Sequence, residues 1–163
     1  MKKVKEVPTK LTDELSDLLS EIDFSDTFAT TNHIDNLQDV TNLIFNTPTQ
    51  WVVSLFEFRN TLVKLFGLKT GKPEDYSEEF KVGGYVSFFQ IYSVKDNEIV
   101  LGANDSHLNF RAIVVNDDSE QYNIKVITLV EYNNLFGIIY MTVIKPFHRL
   151  VVKRLVRNSF RLT

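Results

Sequence analysis

Residues 98–132 read EIVLGANDSHLNFRAIVVNDDSEQYNIKVITLVEY. Three runs rich in β-branched and aromatic residues, Glu98–Gly102, His107–Val115 and Asn123–Tyr132, are separated by short polar links. Asn116-Asp117-Asp118-Ser119 is the clearest of these links. Such runs, bounded by Asn, Asp, Gly and Ser, are the pattern of antiparallel strands joined by turns. The pattern extends in both directions. Upstream, Tyr85–Val94 reaches the run through Lys95-Asp96-Asn97; downstream, Asn133-Asn134 leads to Phe136–Lys145. The expectation is a five-strand meander ending at Pro146, which closes the last strand and opens a C-terminal helix carrying Phe147, Leu150, Val151, Leu155, Val156 and Phe160.

The first half reads differently. Leu11, Leu15, Leu18, Leu19 and Ile22 recur at helical spacing, with Thr12 as N-cap of a helix reaching Glu21. Phe24–Thr30 is extended, with Phe24, Asp26 and Phe28 on one side and Ser25 and Thr27 on the other. Leu37, Val40, Thr41 and Ile44 give a second helix. Trp51, Leu55, Phe58, Leu62, Leu65 and Phe66 give a third, capped by Thr47, opened by Pro48 and ended by Gly67. Lys69–Gly84 is a loop. The fold class expected is therefore α+β, with helices early, an antiparallel sheet late and a closing helix packed on it.

The chain has 163 residues, 44% of them hydrophobic, 13 of them Phe and 6 Tyr. That suits a single domain over residues 1–163, with residues 1–10 as a flexible lead-in, and a core built around large rings. The absence of Cys excludes disulfides, thiolate metal sites and thiol catalysis. A net charge of −3 argues against nucleic acid. The basic start has no apolar run after it, and Gly137–Ile144 is too short to cross a bilayer. The expected location is the cytoplasm, with no transmembrane segment. Lys145, Arg149, Lys153, Arg154, Arg157 and Arg161 crowd the last turns without an acid, which is either a solvated face or a contact for an anionic partner.

Both faces of the expected sheet are apolar. In Phe136–Lys145, Ile139, Met141 and Val143 point one way, and Ile138, Tyr140, Thr142 and Ile144 the other. One face packs on helices; the other is a homodimer surface or a cavity wall. Trp51, Phe58, Phe89, Phe110 and Tyr140 are the candidate ligand-binding rings.

The densest polar cluster is Gly102–Arg111. Alternation places His107, Asn109 and Arg111 on one face, opposite Leu108, Phe110 and Ala112, with Asp105 at the preceding turn. Asp105, His107 and Arg111, with His148 from Pro146-Phe147-His148-Arg149, can serve acid–base chemistry or hold an anion; they can equally be a polar outer face paired across strands. No two of the three His have metal-ligand spacing, and nucleotide and nucleophile-elbow signatures are missing, so no metal or cofactor is expected.

Asp23–Phe28, Trp51–Lys69, Val100–Arg111 and Lys145–Leu150, in that order, resemble the bacterial family of domain of unknown function 2867. The family is similar to the START-like, birch-pollen-allergen-like helix-grip proteins, in which a curved antiparallel sheet wraps a helix and often encloses an apolar cavity. The resemblance implies a cavity for a small hydrophobic or amphipathic ligand, and it carries no catalytic residue across. The chain departs from the family pattern at Asn109, where Asp is usual, at Tyr132-Asn133, where His-Asn is usual, and at Gly137-Ile138, where Gly-Arg is usual. It thus lacks a carboxylate, an imidazole and a guanidinium that an enzyme would use, which favours binding over catalysis.

Overall fold

A computed structural model describes residues 1–47, 49, 50, 53, 54, 57, 60, 61, 64 and 73–162. Seven strands form one sheet: β1 (Val4–Glu6), β2 (Phe24–Thr30), β3 (Tyr85–Val86), β4 (Phe89–Val94), β5 (Glu98–Asn104), β6 (Leu108–Asn116) and β7 (Ile124–Tyr132). Their order is β1-β2-β7-β6-β5-β4-β3, every neighbouring pair antiparallel. The helices whose bounds lie within the described residues are α1 (Asp13–Ser16), α2 (Leu37–Phe45) and α3 (Leu135–Asn158). The fold is α+β.

The largest difference from expectation is Phe136–Lys145, which is helix and not a fifth meander strand. Its Ile, Val, Thr and aromatic residues favour a strand only where a sheet edge is free. None is free beside β7, whose two edges are taken by β6 and by β2, with Asp26 opposite Thr128 and Phe28 opposite Val126. Asn133-Asn134 is therefore no hairpin turn. Asn134 is the N-cap of α3, its side chain accepting the Gly137 N–H at 3.1 Å. Pro146 lies inside the helix instead of opening it, and leaves the Thr142 carbonyl without its helical donor. At about 1.5 Å per residue the continuous helix is, by length and composition, long enough to cross a membrane. The length argument drawn from Gly137–Ile144 alone thus falls away.

Smaller differences have local causes. The expected strand Tyr85–Val94 breaks at Ser87, whose φ of 56° makes a two-residue turn with Phe88. β4 then carries a bulge, since Ile91 and Ser93 face consecutive residues Leu101 and Val100, which leaves Tyr92 as the extra residue. The expected helix to Glu21 stops at Ser16, with Asp17 as its C-cap, in a stretch where Ser16, Asp17 and Ser20 are weak helix formers. Residues 1–10 include β1, with Val4 buried. Thr47, the expected cap of the third helix, donates its hydroxyl back to Leu43 at the end of α2. The expected third helix lies largely outside the described residues; those described at 50, 53, 54, 57, 60, 61 and 64 are helical.

The sheet buries both faces. On one, Phe28, Ile91, Leu101, Val114 and Val126 meet Val40 and Ile44 of α2 and Leu155 and Val156 of α3. On the other, Val100, Ile113, Ile127 and Leu129 are covered by Leu15 and Leu19 from α1 and the residues after it. Each of these leucines contributes roughly 1.5–3 kcal/mol by burial. The second apolar face is thus closed by the chain's own first helix.

Candidate functional site

The helix-bearing face of the sheet does not pack solidly. Between it, α2 and α3 lies a cavity of about 570 Å³. Phe89, Ala103, Leu108, Phe110, Ala112, Val126, Thr128 and Val130 form its sheet wall. Ile44 and Phe45 of α2 and Tyr140, Met141, Ile144, Phe147, His148, Val151, Val152 and Leu155 of α3 form the opposite side. Strand alternation explains the wall: Leu108, Phe110 and Ala112 share one side of β6, and Val126, Thr128 and Val130 the matching side of β7. The rings hold each other edge-on, Phe45 to Phe89 at 5.3 Å and Phe89 to Phe110 at 5.4 Å between centroids. Alanines at 103 and 112, where the surrounding residues are large, leave the volume unfilled. Tyr76 and Tyr85 stack at 5.2 Å in the same lining. Burial, together with the Asp75 carboxylate, raises the Tyr85 pKa, so the phenol stays protonated.

Phe89, Phe110 and Tyr140 are all in the cavity wall. Trp51 and Phe58 lie outside the described residues.

The polar candidates separate. Asp105, His107 and His148 line the cavity. His107 is 1% exposed, with its ring 4.9 Å from Tyr140 and 5.3 Å from Phe136. The alternation that put it beside Arg111 fails because β6 begins only at Leu108. Residue 107 belongs to the turn closed by Asp105 N–H to the Leu108 carbonyl, and its side chain turns to the helix side. Arg111 is on the opposite face. Its guanidinium lies 4.2 Å above Tyr92 and donates to Asn104 and to the Phe110 carbonyl, both at 2.8 Å. With Asn109 and Glu131 it forms a small polar recess against residues 16–20. The structure therefore does not assemble Asp105, His107 and Arg111 into one site.

A residue outside the expected set joins His148 instead. Asp26 of β2 is 6% exposed, and its Oδ2 lies 3.2 Å from His148 Nε2. Phe24 sits edge-on to the His148 ring at 5.8 Å. The signal was present in the sequence: alternation of Phe24, Asp26 and Phe28 sets a carboxylate in an apolar row. Among the described residues no group of three His, Asp or Glu is placed to hold a metal ion.

One family description matches residues 18–155, nearly the whole of the sheet, α2 and most of α3. The chain belongs to the family described as protein of unknown function DUF2867. In this DUF2867 member the matched span contains the entire described cavity wall. No curated protein and no solved structure matches the chain.

Proposed function

We propose that this DUF2867 protein binds a small hydrophobic or amphipathic molecule in the cavity between its sheet and helices. The observation that carries this is the cavity: about 570 Å³, walled mainly by Phe, Val, Leu and Ile. Ligand pockets run from roughly 300 to 1,000 Å³ and are mostly apolar with a few placed polar groups. The antiparallel sheet with a long helix across one face supports a helix-grip kinship, and the proposal takes the chain as a single domain working in the cytoplasm. Binding is favoured over catalysis because Arg111 is turned away from Asp105, His107 and His148. Native mass spectrometry of the purified protein, followed by titration with a pyrene fluorophore, tests the reading. A saturable complex of one probe per chain is expected; absence of both adduct and probe binding overturns it.

A second reading rests on the outer side of α3. Leu135, Ile139, Val143 and Leu150 are exposed there, and Lys153 and Arg157 continue the same face. An apolar stripe running into basic residues is the composition of a helix that lies on an anionic bilayer. Cosedimentation with phosphatidylserine-containing vesicles, and not with pure phosphatidylcholine vesicles, is the expected result. Equal or no binding to both removes this reading.

A further inference from the structure

We propose that the Asp26–His148 pair is the polar anchor of the cavity and selects an apolar ligand that carries a hydroxyl group. The inference rests on the cavity binding reading and adds the class of molecule it takes.

Asp26 is a carboxylate in an apolar setting. Its side chain is 5% exposed, and among the described residues its charge partner is His148, whose Nε2 lies 3.2 Å from Oδ2 without the alignment of a full hydrogen bond. Burying such a pair costs more than burying apolar residues of the same size, so stability alone does not account for it. The geometry gives it a use. The Asp26 carboxylate lies beside Nε2, which is itself buried, and so favours a proton on that nitrogen. Nδ1 is then the ring nitrogen left for a ligand, on a side chain that lines the cavity. Thr128, the register partner of Asp26, adds a hydroxyl to the same wall.

The charge balance narrows the ligand. With His148 neutral, the nearby carboxylate favours the Nε2–H tautomer and Nδ1 accepts; with His148 protonated, Nδ1–H donates. A hydroxyl both donates and accepts, so it fits either state. A ligand carboxylate would add a second negative charge beside Asp26. The basic residues flanking His148 on α3 offset it little, since Lys145 and Arg149 are exposed, where salt screens them, and Arg149 already pairs with Glu6. Lys64 also lines the cavity but is exposed, where salt screens it.

The test compares 1-pyrenemethanol with 1-ethylpyrene, which differ in one hydroxyl against one methyl, by fluorescence titration of wild type and His148→Phe. The expected result is a ratio of alcohol to hydrocarbon affinity that falls at least about tenfold in the variant, with 1-ethylpyrene binding retained. An unchanged ratio, with 1-ethylpyrene still bound, overturns the anchor and leaves the cavity reading standing. Failure of wild type to bind either probe overturns both. Should His148→Phe not fold, the imidazole ¹⁵N signals of His148 in wild type decide: a shift with the alcohol and none with the hydrocarbon supports the anchor, and no shift with the alcohol refutes it.

Discussion

Gly137, in the first turn of α3, presses on the backbone of His107: a Cβ at residue 137 would fall 2.0 Å from the His107 carbonyl oxygen. That oxygen also accepts the Asn133 N–H at 3.0 Å, so it is not free to move. Glycine is required here for close approach, since its φ is not in the left-handed region. Gly137→Ala is expected to destabilise the fold by about 2–4 kcal/mol, beyond the usual cost of overpacking because the clash is with backbone. A urea unfolding curve with a lowered midpoint and unchanged slope checks it.

Local periodicity made part of the fold legible in the sequence. Phe24–Thr30, Leu37–Ile44 and the runs around Ile99, Ile113 and Ile127 carry their periodicity locally, and each forms the element that periodicity implies. The segment Phe136–Lys145 does not. Its β-branched residues prefer a strand, and only the pairing of β2 with β7, two elements far apart in the chain, removes the edge it would need. The site was legible to the same degree. Phe89, Phe110 and Tyr140 could be named because rings in alternating strands mark a wall. The partnership of Asp26 with His148 depends on where α3 crosses β2, which no local pattern contains.

Asn32 and Asn123 form a buried polar lock joining the ends of β2, β7 and α3. Asn123 accepts the Asn32 N–H at 3.0 Å and donates to the Asn32 carbonyl at 2.8 Å, while Asn32 donates to the Ser159 carbonyl at 2.7 Å. Asn123→Ala strips both backbone partners from Asn32 at once, and is expected to cost about 2–4 kcal/mol. Asn32→Ala leaves that backbone pair in place and removes instead the side-chain bonds to the Ser159 carbonyl and to Asp35, so its cost, about 1–3 kcal/mol, should add to that of Asn123→Ala. Thermal or urea unfolding of the two variants and their double checks this; an unchanged midpoint in Asn123→Ala would contradict the lock.

Arg111 is a structural residue of the opposite sheet face. Its guanidinium is stacked on Tyr92, and its side chain packs over Gly102, whose added Cβ would lie 2.9 Å from Arg111 Cδ. Arg111→Ala is expected to cost about 1–3 kcal/mol through lost packing and the lost cation–π contact. Arg111→Lys should not restore it, because an ammonium cannot stack and donate in the same plane. Pyrene-probe affinity should stay within about twofold of wild type, the cavity being on the other side of the sheet. A large loss of binding with an unchanged unfolding midpoint would show that Arg111 serves the cavity after all.

Filling the cavity separates binding from folding. Ala112 sits in the wall between Leu101 and Thr128 in register, and its small side chain leaves space on the α3 side. In a solid core an added ring would cost about 1–3 kcal/mol in strain. Here the ring of Ala112→Phe enters empty volume and gains contacts that the wild-type wall lacks, so the urea midpoint is expected to hold or rise. The same ring occupies the space a ligand needs, and the affinity for 1-ethylpyrene should fall at least about tenfold, the cost of roughly 1.4 kcal/mol of lost apolar contact. A variant that unfolds early would mean that the wall is packed tighter than its volume suggests. One that keeps both its midpoint and its probe affinity would place the ligand elsewhere on the molecule.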